Sequence, residues 1–275
     1  MDQIPSDEGA STTLVSTAVL RRDLSFAALT TAALLIAHAI VLFLHEWAHS
    51  AMAWILGFKS NPLAITYGRL NLPNVLLQGE MDENVDYESI FRAGHRVDVS
   101  VIALAGITSM LLVYVVCALV LRSRASRMRS AGTMFLFWVA VMSAGDLWAY
   151  APVRTITTRY DMANAAQGLG ISTWTLLPFV TVPSIWVGWD LFSRLLPSVL
   201  AQSSGSDLLR RAFVVVVACF VYFGYFGNVG SGGSYGNVSA VLSILSVFLL
   251  FPLVVMATLS RAGIRNATER PKKSS

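Results

Sequence analysis

Two histidines and a glutamate lie in a five-residue segment suited to metal chemistry. Residues 45–49 read His-Glu-Trp-Ala-His. On a helix this spacing points both imidazoles the same way, so that they can chelate one Zn²⁺ while Glu46 approaches the metal-bound water. Zinc lowers the pKa of such a water towards about 7, and a nearby carboxylate can accept the released proton. The segment therefore predicts zinc-dependent hydrolysis, with His45 and His49 as metal ligands and Glu46 as the general base.

A third ligand is needed, because catalytic zinc usually has three protein ligands and one water. His95 is a poor candidate, since it lies in a polar stretch between two arginines. Two aspartates remain. Asp146 lies in an apolar stretch, where a bound cation would offset the cost of a buried carboxylate. Asp161 follows Pro152 in a polar connection that could approach the site, so the sequence leaves both open.

His38 precedes His45 by seven residues, which returns it to within about 20° of the same helical face. It could therefore line an access path or lie in the second shell of the metal. The commoner role of such a histidine is a polar contact between helices.

The elements that must position these residues are transmembrane helices. Of the 275 residues, 55% are hydrophobic and 13% charged, and the mean hydropathy is +0.61. This composition predicts an all-α polytopic membrane protein in the lipid bilayer rather than a soluble domain. We expect six transmembrane helices, at about 25–56, 98–121, 133–151, 172–198, 210–227 and 238–259.

Basic residues are concentrated at alternate ends of these helices, which predicts that both termini are cytoplasmic. The chain then divides into a polar cytoplasmic segment (1–24), a single transmembrane domain (25–260) and a basic cytoplasmic tail (261–275). The net charge of +4 is explained by orientation in the membrane, and we expect no nucleic-acid partner. The basic set comprises Arg21, Arg22, Arg122, Arg124, Arg127, Arg129, Arg194, Arg210, Arg211, Arg261, Arg265, Arg270, Lys272 and Lys273.

Two polar connections are predicted on the opposite side, at residues 57–97 and 153–170. Alternating residues at 63–67, followed by Val-Leu-Leu-Gln at 75–78, predict a short β-hairpin after the metal-binding helix. The acidic run that follows (Glu80, Asp82, Glu83, Asp86 and Glu88) is typical of a solvated face. Together the two connections could roof the site.

These motifs resemble the site-2 protease family of intramembrane zinc metalloproteases. The similarity covers about residues 30–170 and comprises HEWAHSAMAWILG, the predicted hairpin and an Ala-Gly pair at 105–106. In that family a later Asn-x-x-Pro…Asp-Gly segment provides the third ligand. The corresponding region here is GDLWAYAPVRTITTRYDMANAA, in which Pro152 and Asp161 stand for the family's proline and aspartate. The resemblance therefore favours Asp161, whereas membrane burial favours Asp146.

The resemblance implies a membrane-protein substrate that is cleaved within or beside a transmembrane segment. The predicted hairpin could hold an unwound substrate by strand addition. Two other functions remain open. The chain could be a non-proteolytic scaffold or regulator that keeps the fold, or a transporter of small solutes or metal ions, although no inverted repeat is evident.

Overall fold

Six long apolar helices form the frame of the protein in a computed structural model that describes residues 7–124, 127–203 and 207–268. Each can cross a bilayer, which confirms the predicted polytopic all-α fold, and their bounds differ from the predicted ones by a few residues. The spans are Leu20–Ile55 within α1, Arg96–Arg124 (α4), Ser130–Val153 (α5), Thr173–Gln202 (α7), Leu208–Asn228 (α8) and Asn237–Arg261 within α9, which covers residues 237–268. Shorter helices in the connections are α2 (Leu72–Leu77), α3 (Tyr87–Arg92) and α6 (Tyr160–Leu169).

The first helix begins earlier than the predicted span. α1 runs from Asp7 to Ile55, because no proline lies between Pro5 and Pro62 to interrupt it. Its 49 residues extend about 73 Å, more than twice the thickness of a bilayer core of about 30 Å. The predicted N-terminal segment is thus helical from residue 7 onward. Residues 1–6 and 269–275, which belong to the predicted terminal segments, lie outside the described residues.

Local sequence signals start and end the helices near the histidines. The Asp86 side chain accepts a hydrogen bond from the Ser89 backbone N–H and caps α3. Ser172 caps α7 in the same way, through the N–H of Thr175. The chain leaves α6 at Gly170, whose φ of 69° favours glycine. Asp86 and Ser172 thus mark where helices begin, and Gly170 marks where α6 ends.

The predicted β-hairpin at residues 63–78 does not form. Within the described part of the chain this region contains no strand, and a single antiparallel bridge joins Thr66 to Asp82. Residues 72–77 are helical instead, because Pro73 suits the first turn of a helix and Asn71 caps it through the N–H of Asn74. The alternating pattern was too short to outweigh these local signals. Without a strand edge here, strand addition by a substrate loses its structural basis.

The central helix of the bundle is α5. Of its apolar span 72% is buried, compared with 11% for α9. Trp138 of α5 is fully buried in the same core as Tyr114 of α4. Tyr114 donates a hydrogen bond of 2.7 Å to the carboxylate of Asp190 in α7, which also pairs with Arg122. A buried charge network therefore links α4 to α7.

The two polar connections meet on the side where α1 ends. A cavity of about 210 Å³ lies between them, lined by Tyr87 and Phe91 of α3 and by Asn164 and Gln167 of α6. The connections thus lie together, as the sequence predicted, beyond the C-terminal end of the helix that carries the histidines.

Candidate metal centre

Three potential ligand atoms converge where α1, α4 and α6 meet. His45 Nε2 lies 3.2 Å from His49 Nε2. Asp161 Oδ2 lies 3.9 Å from the first of these nitrogens and 3.7 Å from the second. Both imidazoles are buried, and the Asp161 side chain is 13% exposed. Among the residues that the structure describes, no other group of three His, Cys, Asp or Glu side chains has such spacing.

The spacing of these atoms suits a tetrahedral metal ion. Zinc binds imidazole nitrogen and carboxylate oxygen at about 2.0–2.2 Å, which separates neighbouring ligand atoms by about 3.3 Å. The two nitrogens match this separation, and the oxygen needs a shift of about half an ångström to match it as well. Two imidazoles and one carboxylate are also the protein ligands of many catalytic zinc sites.

The remaining nitrogen of each imidazole lies close to an oxygen atom. His45 Nδ1 lies 2.8 Å from Asp146 Oδ2, as a charge contact rather than an aligned hydrogen bond. His49 Nδ1 makes a hydrogen bond of 2.7 Å with the carbonyl oxygen of Ile102. Acceptors in these positions favour a proton on Nδ1 and leave Nε2 available for a metal. The two candidate aspartates are thus separated by the structure: Asp161 lies at the convergence of the Nε2 atoms, and Asp146 lies behind His45.

α6 brings Asp161 to the histidines. The chain leaves the helical conformation of α5 at Ala151 (φ −139°, ψ 107°), and Asp161 then falls in the first turn of α6, where negative charge is favourable. Ser100 of α4 donates a hydrogen bond of 2.8 Å to the carbonyl oxygen of Ala165. Gly168 permits this close packing, since an added Cβ would lie 2.1 Å from Ser100 Oγ. α4 is therefore the support on which α6 positions its aspartate.

Gly106 of α4 faces the two imidazoles. A Cβ atom at this position would lie 2.3 Å from His49 Nε2 and 2.6 Å from His45 Nε2. The first separation is close to the metal–nitrogen distance of zinc sites, about 2.0–2.1 Å, and the second is about half an ångström longer. The absence of a side chain at Gly106 therefore leaves open space beside both candidate ligand atoms, His45 Nε2 and His49 Nε2.

Asp161 is a strongly acidic group in this setting. Burial alone would raise its pKa, but His49, His45 and Arg154 stabilise the carboxylate and lower the pKa to about 2. At neutral pH the side chain is ionised, as a metal ligand must be.

Two residues that the sequence analysis did not single out complete the surroundings of His45. The ring of Tyr150 stacks on that of His45, with centroids 4.6 Å apart. Arg154 lies over the ring of Tyr150, with Cζ 3.7 Å from the ring centroid, and donates a hydrogen bond of 3.0 Å to Tyr235. The four-residue spacing between Asp146 and Tyr150 was the one signal that could have placed this tyrosine on the same face.

Glu46 is half-buried and has a neighbour that the sequence analysis treated as solvated. The carboxyl group of Glu83 interacts with that of Glu46 and with the hydroxyl of Tyr87. Burial, followed by the negative charges of Glu83, Asp161 and Glu46, raises the pKa of Tyr87. Lys59 donates a hydrogen bond to the backbone carbonyl of Glu83, which holds this part of the connection near α1. Glu83 thus differs from the prediction that the whole acidic run forms a solvated face.

His38 is directed towards α8 rather than towards the other histidines. Its Nε2 lies 3.0 Å from the hydroxyl of Tyr225, and its ring is 6.3 Å from that of Phe226. This is a polar contact between helices, the commoner of the two roles considered for this residue. A role in access to the site stays a prediction.

No protein-family model, curated protein or solved structure matches this chain.

Proposed function

We propose that this chain is an intramembrane zinc endopeptidase of the site-2 protease type, which hydrolyses a peptide bond in or near a transmembrane segment of a membrane protein. The observation that carries this proposal is the convergence of His45 Nε2, His49 Nε2 and Asp161 Oδ2 within 3.9 Å of one another. Their location on a membrane-spanning helix and its neighbour supports a membrane substrate, because ionisable groups at such depth mark functional sites.

The donor set supports zinc as the cofactor. His45, His49 and Asp161 would hold the ion, and Asp146 would orient His45 from behind through its contact with Nδ1. When bound, zinc supplies Lewis-acid catalysis and activates water at neutral pH. This assignment makes Asp161 the third ligand and Asp146 a positioning residue.

Glu46 would handle the protons of the reaction. Hydrolysis of a peptide bond adds hydroxide to the carbonyl carbon and places protons on the departing nitrogen. The Glu46 carboxylate would accept a proton from the attacking water and return it to the leaving amine. This role is supported by its position directly after His45 and by its charge interactions with His45 and Asp161. Its interaction with Glu83 links it to the connection at residues 57–97.

The depth of the site supports cleavage near one membrane surface. From Ser25 to His45, α1 rises about 30 Å, the thickness of the hydrocarbon core. With both termini cytoplasmic, the metal would lie towards the non-cytoplasmic face. A substrate helix would have to unwind there, because the carbonyls of an intact helix are occupied by hydrogen bonds.

New protein termini provide the test. Membranes would be prepared from cells that express the full chain, its Glu46→Gln variant or a matched Glu88→Gln variant at an exposed position. Newly formed N-termini in the three samples would be compared by mass spectrometry. We expect termini within or beside apolar segments with the full chain and the Glu88 variant, and their absence with the Glu46 variant. Identical termini in all three samples would contradict the proposal. Retained zinc without any new termini would favour the non-proteolytic scaffold.

A further inference from the structure

A groove separate from the histidine cluster lies between α5, α7, α8 and α9. Its larger part is a cavity of about 450 Å³ that is lined by aromatic residues and by aliphatic residues of α9. Two of the lining residues, Trp189 and Leu253, are about half exposed, so the groove opens to the outside of the bundle. The aromatic lining residues are Trp148, Trp189, Phe192, Tyr222 and Phe223.

The groove has one apolar end and one basic end. A second cavity of about 250 Å³ adjoins the first, with which it shares Phe192, Ser193, Thr258 and Arg261, and it adds Arg211. The basic end therefore lies near the C-terminal end of α9 and the start of α8, on the side of the bundle that is rich in arginine. It contains the guanidinium groups of Arg211 and Arg261 and the hydroxyls of Ser193 and Thr258. An amphiphile with a negative head would match this distribution of charge.

The aromatic wall is built by contacts within the protein. The ring of Phe192 lies 5.3 Å from that of Tyr222 and 5.4 Å from that of Phe223. Tyr222 itself packs closely over Gly188 of α7, where a Cβ would meet its hydroxyl at 2.5 Å. These contacts order the wall without a ligand, and such preorganisation reduces the entropic cost of binding.

Arg261 provides the charge at the basic end that is available for an anion. Arg122 and Arg210 on the same side are paired with Asp190 and Asp23. Arg261, in contrast, makes no ion pair or hydrogen bond with any residue in the described ranges, and it lines both cavities. An exposed cation at the membrane surface attracts anionic lipid headgroups.

The size of the groove favours a lipid over a helix. One turn of a helix about 10 Å wide and 5.4 Å high occupies roughly 420 Å³. The larger cavity therefore holds about one helical turn, far less than a membrane-spanning segment. It lies within the range of about 300–1,000 Å³ that is usual for small-molecule sites.

We propose that this groove binds one anionic glycerophospholipid of the surrounding membrane. Its phosphate would lie between Arg261 and Arg211, within reach of the hydroxyls of Ser193 and Thr258. One acyl chain would follow the wall formed by Phe192 and its neighbours, and the other would remain in the bilayer.

Native mass spectrometry of the full chain tests this site. The protein would be released from nanodiscs containing equal amounts of phosphatidylglycerol and phosphatidylcholine, and the retained lipids counted by class. We expect one retained phosphatidylglycerol. Arg261→Gln should lower its retention about fivefold, the effect of removing one cation near an anionic headgroup, whereas Arg124→Gln at the exposed end of α4 should not.

A second pair of variants tests the apolar part. Ala257→Phe would fill the larger cavity and should reduce retention, whereas Met256→Phe, at an exposed position outside the lining, should not. Equal retention of the two lipid classes would overturn the proposal, as would equal losses from the Arg261 and Arg124 variants. The proposal would also be overturned if millimolar inorganic phosphate displaced the lipid. It would be overturned too if the groove held a second copy of the chain, seen as a dimer that Ala257→Phe dissociates.

Discussion

Replacing Gly106 by alanine probes the space beside the candidate ligands. The new Cβ would lie 2.3 Å from His49 Nε2, about 1.2 Å closer than a relaxed contact of about 3.5 Å. Metal–ligand distances tolerate shifts of only about 0.2 Å, so at least one imidazole would have to leave the ligand position. We expect zinc content to fall at least tenfold, with a loss of stability of about 1–3 kcal/mol from overpacking.

The assay is metal analysis of the purified variant, with its thermal unfolding midpoint measured alongside. Gly132→Ala is the matched control, because its Cβ would meet Met128 at an ordinary 3.5 Å. Size-exclusion chromatography would establish that both variants are folded and monodisperse. A Gly106→Ala protein that keeps its zinc at unchanged affinity would refute the inferred position of the metal.

Three further predictions concern the aspartates, the base and the buried charge network. Asp161→Asn should lower zinc affinity more than 100-fold and Asp146→Asn about 10- to 100-fold, measured by chelator competition, and the reverse order would exchange their assigned roles. Glu46→Gln should retain zinc yet slow hydrolysis about 10²- to 10⁴-fold in single-turnover assays, and loss of the metal would argue against a purely catalytic role. Arg122→Leu should leave Asp190 buried without its main cation and destabilise the protein by up to about 3 kcal/mol, seen as a lower unfolding midpoint; an unchanged midpoint would contradict this.

The transmembrane helices could be predicted from the sequence because apolar length is the main determinant of a membrane span. The spans at 96–124 and 208–228 were each predicted to within about three residues. The start of α1 could not be located in this way, because hydropathy identifies the membrane-embedded stretch and gives no information on how far the helix extends into water. The start at Asp7 instead agrees with the absence of proline between Pro5 and Pro62.

The connection after α1 shows where short patterns fail. Alternation over five residues predicted a strand, whereas one capping asparagine and one proline were sufficient to make residues 72–77 helical. An isolated hairpin gains little from its own hydrogen bonds, so its formation depends on a sheet that this sequence does not supply.

The candidate site was predictable where it depends on one helix and ambiguous where it depends on packing. The four-residue spacing of His45 and His49 determines their common direction on any helix. Whether Asp146 or Asp161 meets the Nε2 atoms depends on how α5 and α6 rotate against α1, which the sequence does not encode locally. Glu83 was missed for the same reason, since only the fold of a long connection brings it to Glu46.

The proposed metal site is tested by the zinc content of the full chain, purified in mild detergent without added metal or chelator. We expect about one zinc ion per chain, retained in Glu46→Gln and lost in His49→Ala. A folded, monodisperse protein without zinc or any other divalent metal would contradict it.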